Sequence, residues 1–124
     1  MIFSTAHFRF IVSCLTAVIL LMNANTAWPA SLPDIAEAGE RAAVMEMLAA
    51  GADVNTLSVD GTTALHWAVY KNDLELVETL LKQGADPDKS NDYHASPMTV
   101  AAVHGDFAIM KALVDAGGDI ESPN

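Results

Sequence analysis

The chain has 124 residues, room for one small domain. Sixteen acidic residues against six basic ones leave a formal charge of −10, and such a surface repels phosphate backbones and anionic headgroups, which argues against nucleic acid as a partner. A single cysteine, Cys14, excludes an intrachain disulfide framework.

The first thirty or so residues differ from the rest. "MIFSTAHFRF" carries Arg9 and no acid, "IVSCLTAVILLM" is a 12-residue apolar run, and "NANTAWPAS" is small and polar. Basic start, short apolar middle and small-residue exit are the layout of a secretory signal peptide, and the apolar run falls short of the roughly 20 residues of a membrane span. The expected signal covers residues 1–27, with cleavage after Ala27 and Ala30 as the second choice. The alternatives are an uncleaved N-terminal anchor and, at Ile11–Cys14, a lipoprotein box that lies too early in the apolar run. Cleavage removes Arg9, taking the net charge from −10 to −11, and removes Cys14, which suits a periplasmic or secreted protein in an oxidising space. The mature domain, residues 28–124, is expected to be membrane-free.

That domain repeats itself. Gly51, Gly84 and Gly117 stand 33 residues apart, as do Asp53, Asp86 and Asp119, and Gly39, Asn72 and Gly105. Leu48, Leu81 and Val114 keep the same period, as do Leu32, Leu65 and Met98. A fixed period over three copies predicts a stack of equal units, here about residues 28–57, 58–90 and 91–122.

Each unit reads as two helices and a turn. In the first copy the opening helix is reduced to "SLPDIAEA". In the second, "TTALHWAVYKN" places Leu65, Ala68 and Val69 on one face of a short buried helix. Asn72 should end it in the left-handed conformation that glycine takes in the other copies, and Asp73 should cap the next helix. In "DLELVETLLKQ", Leu74, Val77, Leu80 and Leu81 fall at helical intervals, with Leu81 expected on the inner face between both neighbours and Glu75 and Glu78 on a solvated outer face. Gly84 ends this helix, and "ADPDKSNDY" crosses to the third copy. One unit cannot bury both of its helices, whereas stacked neighbours can.

At this point the middle copy, "GTTALHWAVYKNDLELVETLLKQGADPD", resembles an ankyrin repeat. Gly61, Thr63, Leu65, His66, Ala68, Val77, Leu80, Leu81, Gly84, Ala85 and Asp86 carry the resemblance, with Pro97, Ala101, Ala102, Gly105, Leu113, Gly117 and Asp119 in the third copy and "GADVN" in the first. It implies an all-α solenoid of stacked helix-turn-helix units joined by short hairpins, over about residues 31–122. Three departures stand out: His94 occupies the turn-glycine position that Gly61 fills in the middle copy, Ala64 replaces the proline, and Thr99 replaces the histidine. A histidine at that turn requires positive φ or a rearranged hairpin.

The sequence carries no nucleophile motif, phosphate loop, zinc spacing or HExxH, so no catalytic residue, metal site or cofactor is assigned and the protein is read as non-enzymatic. The family's histidine ties turn to helix, which makes His66 structural by resemblance. Trp67 is expected in the core rather than as a ligand platform. His94 and His104 lie near Asp92 and Asp106 without ligand periodicity.

By resemblance, ankyrin repeats bind proteins through hairpin tips and the exposed side of each first helix. The corresponding positions here are Val59, Asp60, Thr62, Tyr70 and Lys71 in the second copy and Asp92, Tyr93, Ala95, Val103 and His104 in the third. The two tyrosines are the only ones in the chain, and tyrosine is enriched at binding hot spots. The implied function is an exported interaction module that docks another protein with a basic patch and assists a periplasmic enzyme. The alternatives are an immunity protein that neutralises a toxin and a secreted effector that acts on a host protein.

Overall fold

A computed structural model describes residues 30–120. The expected signal peptide and the final four residues lie outside that range, and residues 31–120 are described here as one unit.

Six helices follow in order: α1 (Leu32–Glu37), α2 (Arg41–Ala49), α3 (Ala64–Tyr70), α4 (Leu74–Lys82), α5 (Pro97–His104) and α6 (Phe107–Asp115). No strand occurs among the described residues. The three pairs, α1–α2, α3–α4 and α5–α6, recur at the 33-residue period. Consecutive first helices pack together, α1 on α3 and α3 on α5, and α4 packs on α6 behind them.

Five of the six helices start where the sequence supplies a cap; α2, preceded by Glu40, has no side-chain cap. Asp34 Oδ2 accepts from the Ser31 N–H at 2.7 Å and from its hydroxyl at 2.9 Å, closing the start of α1. Thr63, Asp73, Ser96 and Asp106 each accept an orphan backbone N–H at the start of α3, α4, α5 and α6; a cap of this kind contributes about 1 kcal/mol. Asp73 serves twice. Its Oδ1 caps α4 through the Leu76 N–H at 3.2 Å, and its Oδ2 receives Arg41 Nε of the first repeat at 2.7 Å. Arg41 Nη1 also reaches Glu75 Oε2 at 2.7 Å, so Glu75 is a tie between repeats rather than part of a purely solvated face.

The core is the seam between repeats. Leu32, Val44, Leu65, Val77, Leu80, Ile109 and Leu113 are 0–1% exposed, and burying an aliphatic side chain of this size contributes about 1.5–3 kcal/mol. Leu81 does not belong there. It is half-buried, while Leu80 and Leu76 take the inner positions of α4. Leucines one residue apart on a helix point about 100° apart, so Leu80 faces the core while Leu81 lies beside Ala112 of α6 and Ala116 just beyond it, at the edge of the stack.

The recurring Gly-Ala-Asp has a mechanical explanation. Gly51, Gly84 and Gly117 all adopt positive φ after α2, α4 and α6. Asp53 and Asp86 then fold the chain locally, each accepting the N–H two residues on at 2.9 Å. Two positions later the loops lock together: Asn55 accepts from the Asp86 N–H and donates to the Gly84 carbonyl, and its periodic counterpart Asp88 accepts from the Asp119 N–H at 2.8 Å.

Candidate functional site

The hairpins that project from the stack are built alike. The Ser58 N–H donates to the Thr62 carbonyl at 2.9 Å, and the Asn91 N–H donates to the Ala95 carbonyl at 3.0 Å. His94 keeps the family geometry, with φ +59° against +76° at Gly61, so the hairpin is not rearranged. The Asp92 N–H donates to the Asp60 carbonyl at 2.9 Å and joins the two tips.

His66 fastens this edge to the helices. Its Nδ1 accepts from the Thr63 N–H at 3.1 Å, which leaves Nε2–H to donate to the Ala95 carbonyl of the next hairpin at 2.9 Å. Burial lowers the imidazole pKa below its ordinary 6.5, and the Thr63 hydroxyl, 2.8 Å from Nδ1, can donate to it while the imidazole is neutral. The structural role expected of His66 therefore extends across the repeat boundary.

Between hairpins and first helices runs a groove enclosing about 340 Å³, lined by Asp60, Thr62, His66, Trp67, Tyr70, Asn91, Tyr93 and Val100. Asp60 and Tyr93 are the same position in successive hairpins; Trp67 and Val100 are the same position in successive helices. The Trp67 and Tyr70 rings meet edge to face, with centroids 5.8 Å apart at 89°, and Tyr70 meets His104 the same way at 5.4 Å and 82°. Hydrogen bonds from Ser58 and Thr62 lower the Asp60 pKa, so this carboxylate is charged at neutral pH.

The expected surface residues divide. Asp60, Tyr70 and Tyr93 line the groove, and His104 adjoins it through the Tyr70 ring. Val59 is fully exposed at one tip, and Asp92 is exposed at the other. Val103 is 81% exposed on α5, and Ala95 is half-buried with its carbonyl taken by His66. Thr62 differs from expectation, and Lys71, exposed as expected, lies apart from the groove. Thr62 is buried, because its side chain faces the neighbouring hairpin and accepts from Asn91 Nδ2 at 3.3 Å. Lys71, just beyond α3, lines a small recess toward the first repeat with Gly39, Arg41 and Asp73.

Trp67 also departs from expectation: it is half-buried, with its ring forming part of the groove floor rather than the core. The signal for it was its spacing from Tyr70, three residues on, which puts both rings on one side of α3. Among the described residues no three His, Cys, Asp or Glu side chains converge on a common point, and no helix is long and apolar enough to cross a membrane.

A family model described as ankyrin repeats in three copies matches residues 34–124. The chain belongs to the ankyrin-repeat family. It is similar to the ankyrin repeat domain-containing protein SAT10 of Stachybotrys chartarum, 32% identical over 106 residues, covering 86% of this chain and 6% of that protein. It is also similar to the palmitoyltransferase AKR1 of Candida albicans, 44% identical over 62 residues (50% of this chain, 8% of that one). A third relative is the L-asparaginase of Dirofilaria immitis, 42% identical over 60 residues (48% and 10%). The chain thus spans a tenth or less of the length of these relatives. Ankyrin arrays are protein–protein interaction modules, and the all-α solenoid expected from the repeat is the fold observed.

Proposed function

We propose that this protein is an exported, non-enzymatic docking module that binds one partner protein on the face formed by its hairpin tips and first helices. The observation that carries this reading is the groove. It gathers Trp67, Tyr70 and Tyr93 on one face of the array, whereas the remaining aromatic of the described residues, Phe107, stands alone and exposed at the start of α6. Tyr70 and Tyr93 are 57% and 73% exposed, so their rings are available to a partner; large aromatic rings with a polar end anchor interfaces. Export rests on the composition of residues 1–27, and the periplasm or the exterior is the proposed location. Assistance to a periplasmic enzyme is the proposed role. Toxin neutralisation or action on a host protein would use the same face, and a toxin gene adjacent to this one would favour the former.

The test is a pull-down from periplasmic extract, followed by calorimetry on the captured protein. Tyr70→Ala with Tyr93→Ala should weaken the complex by at least ~1–2 kcal/mol while leaving the melting midpoint nearly unchanged. Glu46→Ala with Glu78→Ala, exposed on α2 and α4, should change affinity little. Loss of binding in the glutamate pair and not in the tyrosine pair would place the interface elsewhere. A mature N-terminus near Trp28 or Ser31, read by mass spectrometry in the native host, checks export; an intact Met1 start would refute it.

A further inference from the structure

The groove has a feature that a general docking face does not need: a charged carboxylate set among aromatic rings. Asp60 lies on the hairpin side, and the Trp67 indole and Tyr70 ring lie on the helix side. Tyr93 occupies the Asp60 position of the next hairpin. The Ser58 hydroxyl and the Thr62 N–H both donate to Asp60 Oδ1, which fixes the carboxylate in place. No lysine or arginine lines this groove. Lys71 is turned toward the first repeat, and Arg41 is engaged by Asp73 and Glu75.

An apolar side chain seated here would strip water from the Asp60 carboxylate and give nothing back, a cost that opposes binding. An anion would meet like charge. A cation satisfies both walls at once, drawing Coulomb attraction from the carboxylate and quadrupole attraction from the ring faces. Arginine fits better than lysine, because its planar guanidinium can stack on a ring while its N–H fork meets a carboxylate. The chain's net charge of −10 acts in the same direction at long range.

We propose that the groove between the second and third repeats is a receptor for a single cationic side chain, arginine before lysine, presented by the partner protein and held between Asp60 and the rings of Trp67, Tyr70 and Tyr93. This rests on the concave-face reading and adds to it the chemistry of the anchor.

The test needs no knowledge of the partner. The isotope-labelled protein is titrated with acetyl-Gly-Arg-Gly-amide, its lysine analogue and its norleucine analogue, followed by NMR shifts of the Trp67 indole N–H and the Tyr70 and Tyr93 amides. The arginine peptide should shift these signals saturably and bind about 2- to 5-fold more tightly than the norleucine peptide for each ring face engaged. Asp60→Asn, which keeps the acceptor for the Thr62 N–H, should remove most of that preference. Tyr93→Leu should reduce arginine binding while sparing norleucine. Higher salt should weaken the arginine peptide and leave the norleucine peptide unaffected. Equal binding of arginine and norleucine peptides would overturn the cation proposal while leaving the groove a docking face. Arginine shifts confined to other surfaces, or no saturable shift at the groove, would overturn it as well. Failure of the concave-face reading itself is seen separately, when the tyrosine pair leaves the captured partner's affinity intact.

Discussion

His66 is the residue whose replacement tests the architecture most directly. It is 3% exposed and holds both ends of its ring in hydrogen bonds, one within the second repeat and one to the Ala95 carbonyl of the third. His66→Ala removes both bonds at a net cost of about 0.5–1.5 kcal/mol each, and groups left buried without partners add to this. The expected destabilisation is about 2–4 kcal/mol. The more discriminating consequence concerns pH. The folded-state pKa is depressed below 6.5, chiefly by burial, so the unfolded chain binds a proton here before the folded chain does. The contribution is fully present above the unfolded value. It falls as pH drops below about 6.5, at up to about 1.4 kcal/mol per pH unit, and levels off once the folded pKa is passed. His66→Gln does not titrate and can offer an acceptor and a donor in the same places. Urea midpoints should therefore decline for the native chain between pH 7.5 and 5.0, and less for His66→Gln, with the native-minus-variant difference shrinking as pH falls. A difference that stays constant or grows across that range would show that folded His66 is readily protonated, and would refute the neutral two-ended arrangement.

Two further substitutions check the packing register and the turn. Leu80→Ala should cost about 2–5 kcal/mol through lost burial and the residual cavity, whereas Leu81→Ala, at a half-buried site beside Ala112 and Ala116, should cost clearly less; equal shifts in the urea midpoint would mean that α4 is rotated from the orientation described. His94 sits at φ +59° on an exposed hairpin. An L-residue there costs about 1–2 kcal/mol, and glycine forfeits about 0.5–1 kcal/mol of chain entropy. His94→Gly should therefore raise the melting midpoint by a few degrees, and a lowered midpoint would show that the imidazole makes a stabilising contact of its own.

What could be read from residues alone was whatever local chemistry repeats. Glycine or asparagine at a left-handed helix end, Asp73 at an N-cap and the Asp53 and Asp86 turns each depend on a few consecutive residues, so the 33-residue period exposed them before any packing was known. His66 was legible in part: its bond to Thr63 is three residues away, but its bond to Ala95 is 29 residues away and depends on how one repeat lies on the next. The errors share that cause. Leu80 and Leu81 are equally apolar and adjacent, and only the orientation of α4 in the stack decides which is buried. The resemblance places Thr62 at the surface because it matches a family binding position; it is buried, and the neighbouring hairpin supplies Asn91 to its hydroxyl. The resemblance places Trp67 in the core because its position often packs there in ankyrin repeats, yet it lines a groove with Tyr93 and Asp60, which come from hairpins on either side of the repeat boundary. Periodicity determines which units exist. The seam between them determines which side chains are buried, because burial in a stacked array is a property of neighbouring units and not of any one of them.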